Sequence, residues 1–345
     1  MAYKNMGTIS NTNIVSSRGR GASGRVLKVK DFSSASGLAF IKGELEKVDP
    51  KLRQPLTATT WSRDVPVKTG GGWVETLSAM GIDYGMQGGG MEDSIVSGGA
   101  NQIPVIQADL SRETYKTHVF AAVMRIFYVD LQRSKVTDRN LEQMAVDGIR
   151  LSYDKHMDRN TYLGFKKYGC YGLLNNPEVA VTPIPAGATS TKKKWSEKTP
   201  DEILTDINNA IAEGWKNAGW DRSAIPNTIL IPYEQLSYIS TTRIGELAEK
   251  TIMSFLKENN LAAANGVELE INATAYCKGA GVGNTDRMVC YCNDDYFLAM
   301  EELVGLNRAM TEPKTDTLSY DTVYTANVSE LEVFYNQPIS YWDGI

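Results

Sequence analysis

Apolar residues recur at steps of three and four along one long stretch of the chain, which is the pattern of an amphipathic helix. Thr137 or Asp138 can cap its N-terminus, and the pattern continues to Gly164. The positions that carry the period are Leu141, Met144, Ala145, Gly148, Ile149, Ser152, His156 and Leu163. The predicted helix, 137–164, would be about 39 Å long at 1.5 Å per residue, whereas a typical helix has about 11 to 12 residues.

A second helix is predicted from its N-terminal sequence. Thr199-Pro200-Asp201-Glu202 combines a capping box with proline at the first helical position. Its apolar stripe is Ile203, Leu204, Ile207, Ala210, Ile211 and Trp215. Apolar spacing predicts a third helix over 244–259. Strands are predicted at 227–232, where "NTILIP" is short and buried, at 266–277, at 286–293 and within 318–345.

Upstream of the long helix the signals are those of strands. The stretch "TTWSRDVPVK", 59–68, alternates at Trp61, Arg63, Val65 and Val67, and Pro66 places it at an edge or outside a sheet interior. The stretch "YKTHVFAAVMRIFYVD", 115–130, is apolar on both faces. It therefore predicts a long strand that is covered on both sides.

Between these strands lies a stretch that is rich in both glycine and large apolar residues, "KTGGGWVETLSAMGIDYGMQGGG" at 68–90. It contains eight glycines together with Trp73, Leu77 and Ile82. A flexible linker lacks such apolar residues, and a core strand lacks so many glycines. The stretch therefore fits neither a flexible linker nor a core strand.

Composition excludes several classes of protein. Hydrophobic residues make up 42% and charged residues 22%, as in ordinary folded domains, and the net charge of -5 gives no basic field for nucleic acid. No apolar run is long enough for a membrane span, and the N-terminus lacks the apolar core of a secretory signal, so we expect synthesis in a cytoplasm. The first 30 residues hold six basic and no acidic residues and should be extended or disordered in isolation.

The sequence signals for a metal, phosphate or catalytic site are weak. Cys290 and Cys292 point to one face of a predicted strand and suggest a metal pair, but no CxxC exists and buried free thiols are the favoured interpretation. The glycine loop 276–284 precedes a strand-like segment, so we interpret it as a hairpin or solvent loop, not a phosphate site. His156 is interpreted as solvated and His118 as structural. No catalytic, cofactor-binding or metal-binding residue is predicted, and an enzyme whose site assembles in three dimensions remains an alternative.

Four stretches, in this order, resemble the major capsid protein of tailed bacteriophages, which has the Hong Kong 97-type fold. They are "GCYGLLNNPEV" at 169–179, the helix at 199–215, "NTILIPYEQLSYIS" at 227–240 and "VFYNQPISYWDGI" at 333–345. The resemblance covers roughly 55–345. It implies an α+β fold with an N-terminal arm at 1–55, an extended β-hairpin loop at 56–114, a peripheral domain at 115–199 and 318–345, and an α/β axial domain at 200–317.

The resemblance also implies a function. Such a chain assembles through pentamers and hexamers into an icosahedral shell that encloses viral double-stranded DNA without sequence-specific binding. Its location would be the virion, after assembly in the host cytoplasm, with no membrane and no cofactor. Portal and scaffolding or decoration proteins are the implied partners. Because only about 55 residues precede the extended loop, we expect no long N-terminal segment to have been removed, so any scaffold would be a separate protein.

Within this resemblance, the glycine-rich stretch looks like part of the extended loop, which lies across a neighbouring subunit. The inter-subunit contacts we predict are Arg18, Arg20, Arg25, Trp61, Arg63, Trp73, Leu77 and Ile82. A surface hairpin packed on its own domain is the alternative for the stretch. For the whole chain, the alternative is the shell protein of an encapsulin-like cellular compartment, which shares the fold but encloses a cargo enzyme.

Overall fold

The computed structural model describes residues 58–87, 105–136, 141–244 and 250–345. Within these residues the chain divides into two compact units. The smaller unit contains 122–136, 141–155 and 308–324, and the larger contains 60–87, 105–121, 156–244, 250–307 and 325–345. The predicted N-terminal arm and the glycines at 88–90 lie outside the described residues.

The elements of the first half are a short helix, a long hairpin and the long helix. They are α1 (Trp61–Asp64), β1 (Val67–Thr69), β2 (Thr76–Gln87), β3 (Val105–Phe127), α2 (Tyr128–Val136) and α3 (Leu141–Leu163).

The second half alternates short helices and short strands before two long strands. Its elements are β4 (Val181–Pro183), α4 (Pro200–Asn217), β5 (Thr228–Ile231), α5 (Tyr233–Thr241), α6 (Ile252–Glu258), α7 (Leu261–Ala264), β6 (Glu270–Ala273), β7 (Arg287–Tyr291), β8 (Leu298–Lys314), β9 (Ser319–Ser329), β10 (Glu332–Val333) and β11 (Ser340–Asp343).

A five-stranded sheet in the order β4-β11-β7-β5-β6 carries the main core. Every residue of β5 and β7 is buried. Helix α4 places Ile203, Ile207 and Ile211, all fully buried, against this sheet. The capping box at Thr199 and Glu202 is formed, which confirms the predicted start of the helix. The predicted buried strand at 227–232 is confirmed as β5.

The second sheet has the order β1-β8-β9-β3-β2, with β10 paired to β8. Strand β1 is parallel to β8, and β2 and β3 are antiparallel. The predicted strands of the C-terminal stretch are confirmed as β9, β10 and β11. The two sheets cross the predicted domain boundaries, because β11 pairs with β7 of the predicted axial domain, and β8 pairs with β9. The division into domains stays a prediction.

The long helix is confirmed as α3. Its predicted first residues, 137–140, lie outside the described residues, and it ends at Leu163. Gly164 follows with a positive φ of 61°, the left-handed conformation that terminates helices. The last turns are the most buried, since Met157 and Tyr162 are fully enclosed.

Three predictions of local structure were wrong in their type or their boundaries. The strand at 59–68 is replaced by α1 followed by β1, because a carboxylate distant in sequence caps a helical turn there. The third helix begins at Ile252, not at residue 244, because Thr251 caps it by accepting a hydrogen bond from the amide of Ser254. Residues 245–249 of that prediction lie outside the described residues. The predicted strand at 266–277 is shorter, since it ends at Ala273.

The prediction that 115–130 is a strand covered on both sides was also wrong. Strand β3 begins ten residues earlier, at Val105, and ends at Phe127, where α2 begins. Met124 is buried, but Val119 and Val123 on the opposite face are 61% and 57% exposed. The second apolar face therefore points outward from the single chain.

Candidate functional site

Strands β2 and β3 form a long hairpin, here called the hairpin arm, that runs from Thr76 opposite Lys116 to Gln87 opposite Val105. Side chains alternate between the two faces of a strand, and residues directly opposite each other share a face. The register therefore collects large apolar side chains on one face, here called the docking face: Met80, Ile82, Tyr84, Ile106 and Leu110.

The docking face is exposed in the chain. The exposed fractions of its five side chains run from 54% for Ile82 to 77% for Met80. Ile82 lies directly opposite Leu110, which is 70% exposed, so the two form an apolar pair on the surface. A contiguous exposed apolar patch marks an interaction surface.

Polar residues are frequent on the opposite face of the hairpin arm, here called the polar face, which also includes Leu77 and Val105. Asp83 lies directly opposite Asp109, and Gly85 lies opposite Gln107. Like charges in directly opposed positions destabilise a strand pair, and an isolated two-stranded hairpin is marginal in water. The arm alone is therefore only marginally stable.

Glycine has a defined use where the chain enters the arm. Gly70, Gly71 and Gly72 connect β1 to β2 with φ angles of 109°, 110° and 76°. Three consecutive positive φ angles are accessible to glycine at little cost and strained for other residues. Glycine thus lets the chain turn sharply before the apolar residues of the arm begin.

A fully buried carboxylate, Asp64, anchors the segment that leads into the arm. Arg63 donates to it through Nε at 2.6 Å and Nη2 at 2.8 Å, and the Tyr162 hydroxyl donates at 2.5 Å. The backbone carbonyl of Asp64 accepts from the Tyr291 hydroxyl at 2.5 Å. Burial and the charge of Asp64 raise the pKa of Tyr162, so its hydroxyl stays protonated and able to donate.

A second carboxylate explains why α1 forms. Oδ1 of Asp158, on α3, accepts the backbone amides of Thr60 and Trp61, both at 2.9 Å. These are amides that a helix N-terminus leaves unpaired. The buried end of α3 thus fixes the chain that enters the arm.

The stretches 169–179 and 333–345 meet at a buried junction. The Tyr341 hydroxyl donates to the carbonyl of Leu173 at 2.6 Å. Arg287 donates to Asp343 through Nε at 2.7 Å and Nη2 at 2.9 Å, and through Nη1 to the carbonyl of Leu174 at 2.7 Å. Paired, planar geometry of this kind compensates the cost of burying the arginine charge. Two stretches that carried the resemblance therefore form one structural unit.

The predicted contact residues differ in their surroundings. Trp73 is 59% exposed and Ile82 belongs to the docking face, whereas Leu77 is partly buried and lies on the opposite face of the arm. Trp61 is partly buried in α1, and Arg63 is paired with Asp64 in its own chain. Arg18, Arg20 and Arg25 lie outside the described residues. A role between subunits stays a prediction for all eight.

The glycine loop and the cysteines show structural features. The amide of Gly279 donates to Asp286 at 3.0 Å and that of Val282 to Asp343 at 2.8 Å, so carboxylates of the same chain occupy the loop. Strand β7 follows the loop, so no helix begins there. The loop is also not a hairpin, because β5 lies between β6 and β7 in the sheet.

All four cysteines are buried free thiols, and burial raises the pKa of Cys292 to about 12.

The histidines pack among aromatic rings. The ring of His156 stacks on Phe165 at 4.9 Å between centroids, and burial lowers its pKa. The interpretation of His156 as solvated was therefore wrong: the helix turns this side chain toward apolar neighbours. His118 contacts Phe165 and Tyr168, and burial lowers its pKa as well.

The comparisons with known proteins identify the family. The family model of the major capsid protein matches residues 92–345, so the chain belongs to the major capsid protein family. It is a structural protein of virus capsids, and this membership favours the virus over the cellular compartment. No curated protein sequence matches the chain. Among the described helices, none has the length and apolar character to cross a membrane.

Solved structures confirm the predicted Hong Kong 97-type fold. The capsid protein of Myoviridae phage XM1 is 14% identical, with a TM-score of 0.71 over 87% of this chain and 97% of that chain. A protein of Microbacterium phage Oxtober96 is 10% identical, with a TM-score of 0.58 over 92% and 100%. A virus-like particle from Pyrococcus furiosus is 13% identical, with a TM-score of 0.50 over 82% and 91%. At these identities the likeness concerns the fold alone.

Proposed function

We propose that this chain is the shell subunit of a virion and that each subunit lays the docking face of its hairpin arm on a neighbouring copy. The observation that carries the proposal is the docking face itself. Burying side chains such as Ile82, Leu110 and Met80 contributes about 1.5–3 kcal/mol each. Association has its own entropic cost, so the closed geometry of a shell, in which every copy both gives and receives an arm, is what makes the contact stable.

The subunits are proposed to form rings of five and six that close into an icosahedral shell. Closed rotational symmetry needs only complementary surfaces, so the subunit requires no catalysis, no cofactor and no metal for this role. The shell would enclose double-stranded DNA without reading its sequence, which suits a net charge of -5. The shell would assemble in the host cytoplasm, and its partners would be portal and scaffolding or decoration proteins.

The basic N-terminal segment is proposed to contact neighbouring subunits. Arg18, Arg20 and Arg25 lie in a segment of 30 residues with no acidic residue. A shell that must release its genome gains nothing from tight binding of phosphate, so carboxylates of adjacent copies are the better partners for these arginines. Cryo-electron microscopy density beside such carboxylates would support this contact, and density free in the shell interior would contradict it.

The docking face is tested by placing one charge on each face of the arm. Ile82→Asp puts a carboxylate in the centre of the docking face, and Gln107→Asp puts one on the polar face. Both positions are exposed, so both variants should keep the secondary structure and thermal stability of the free subunit.

The expected result is a selective loss of assembly, measured by analytical ultracentrifugation over a concentration series. Ile82→Asp should remain a small species at concentrations where the unmodified chain forms large particles, because a buried unpaired charge costs far more than it returns. Gln107→Asp should assemble. Assembly of Ile82→Asp at the unmodified concentration would refute the proposed contact.

A further inference from the structure

Three side chains of different chemistry converge at the base of the hairpin arm. Nε2 of His118 lies 3.2 Å from Sγ of Cys170. The ligand atoms of His118, Cys170 and Glu330 all lie within 4.8 Å of one another. The three come from separate elements: His118 from β3, Cys170 from the turn after α3, and Glu330 from the turn after β9.

The set has the composition of a transition-metal site. Imidazole, thiolate and carboxylate together are ligands of Zn²⁺ and of its substitute Co²⁺. Bond lengths of 2.0–2.3 Å and tetrahedral angles place ligand atoms roughly 3.3–3.8 Å apart. The observed separations reach that range after a change of about 1 Å at one or two side-chain tips.

The surroundings fix the ligands and leave a path to them. Cys170 is 1% exposed, so its thiol is enclosed by the protein. Oε1 of Glu330 accepts the backbone amide of Lys116 at 2.7 Å, which orients the carboxylate. A cleft of about 370 Å³, lined in part by Gly169, Gly172 and Glu330, reaches this carboxylate. The cleft gives an ion an entry path as far as the Glu330 carboxylate.

We propose that His118, Cys170 and Glu330 bind one Zn²⁺-class ion. The site joins β3, the strand that carries half of the hairpin arm, to the end of α3 and to the C-terminal strands. On binding, the thiol proton is released to solvent water and the metal–sulfur bond forms, with no change in oxidation state. The ion thereby ties the base of the arm to the core of the larger unit. This role is independent of the proposed docking on a neighbour.

The test is a titration of the purified, reduced, metal-free full chain with Co²⁺, followed by absorption spectroscopy. One equivalent should produce a thiolate-to-cobalt charge-transfer band and the intense visible bands of tetrahedral cobalt. Cys170→Ser should abolish the charge-transfer band, and Glu330→Gln should weaken Co²⁺ binding at least tenfold. Cys292→Ser is the matched control, since Cys292 is also buried but lies elsewhere, and it should titrate like the unmodified chain.

Folding of the variants does not decide the outcome. The unmodified chain must itself show the charge-transfer band, and Zn²⁺ must raise its Tm in thermal melts while leaving that of His118→Gln unchanged. Absence of a thiolate–cobalt band in the unmodified chain would overturn the proposal. Persistence of the band in Cys170→Ser would overturn it equally.

Discussion

Asp64 concentrates more interactions than any neighbour in the segment leading into the hairpin arm. Its carboxylate is fully buried yet accepts hydrogen bonds from Arg63 and Tyr162, and its backbone carbonyl accepts one from Tyr291. A buried carboxylate is costly unless it is paired and hydrogen-bonded. These partners come from α1, α3 and β7, so one residue holds three elements together through its side chain and its backbone carbonyl.

Replacing Asp64 with alanine should destabilise the subunit by about 2–4 kcal/mol, because it leaves buried donors without their acceptor. The ion pair with Arg63 accounts for little of this loss of stability, because the Arg63 side chain is 43% exposed and solvent screens its charge. Guanidinium denaturation of the free subunit measures the effect. Asp295→Ala is the control: Asp295 pairs with Lys68 at 3.5 Å on the surface and should show no measurable change. Equal stability of Asp64→Ala and the unmodified chain would show that the anchor is unimportant.

The capping box of α4 predicts a pH dependence. The Glu202 carboxylate accepts backbone amides of Ser190, Thr199 and Thr189, and these hydrogen bonds lower its pKa from 4.5 to about 2. Because the native state favours the ionised form, the contribution is complete above about pH 4.5 and is lost as the pH falls toward 2.

Glu202→Gln should therefore be less stable than the unmodified chain at neutral pH, and the difference should shrink between pH 4.5 and 2. Denaturation midpoints across that range measure it. Glu268→Gln, at an exposed position, reports the effect of removing one charge alone. A difference for Glu202→Gln that stays constant with pH would contradict the assignment.

At the scale of elements, the end of α3 is wrapped by the chain that follows it. The amide of Leu173 donates to the carbonyl of Thr161 at 2.8 Å, and that of Leu174 to Tyr162 at 3.0 Å. Gly172 makes this approach possible, because an added Cβ would lie 2.4 Å from the carbonyl carbon of Tyr162. The return of the chain along its own helix fixes where the cleft and the C-terminal junction form.

Gly172→Ala should destabilise the subunit by about 3 kcal/mol, because the obstructing atoms are backbone and cannot move aside. Gly148→Ala is the matched control within α3. Nothing lies within 4 Å of a Cβ at Gly148, so alanine should stabilise the free subunit by up to about 1 kcal/mol through helix propensity. Thermal or chemical denaturation measures both, and a tolerated Gly172→Ala would contradict the described packing.

Elements with strong local signals could be predicted from the sequence. The capping box at Thr199 and Glu202 spans four residues, and α4 begins where it indicates. Helix α1 could not be predicted, since its N-terminal amides are satisfied by Asp158, 97 residues after Trp61. The start of α6 was misplaced because apolar spacing continued through a segment in which Arg243 instead pairs with Thr251 as a bridge.

At the scale of the whole molecule, the docking face is the surface on which the proposed assembly depends, and the single chain leaves it exposed. Ile82 was predicted as a contact, and the alternation of Met80, Ile82 and Tyr84 carries a signal that identifies their shared face. Leu110 and Ile106 join that face only through the register of β2 with β3. A pattern along one strand does not state which residues lie opposite it, so two of the five residues of the docking face could be assigned to it only from the structure.

The single chain leaves two apolar faces uncovered. The apolar face of β3 at Val119 and Val123 and the docking face are both exposed in the single chain. The sequence suggested that 115–130 was covered on both sides, and the free chain covers one. Exposed apolar surface of this extent is typical of a subunit whose core is completed by its neighbours.

The most direct measurement is negative-stain electron microscopy of the purified full chain after size-exclusion chromatography at several concentrations. We expect the chain to form closed shells, rings of five or six subunits, or tubes that elute at the void volume, and the fraction of these particles should rise with concentration. Folded monomers or dimers at every concentration would contradict the claim that exposed apolar faces of this chain drive its own assembly.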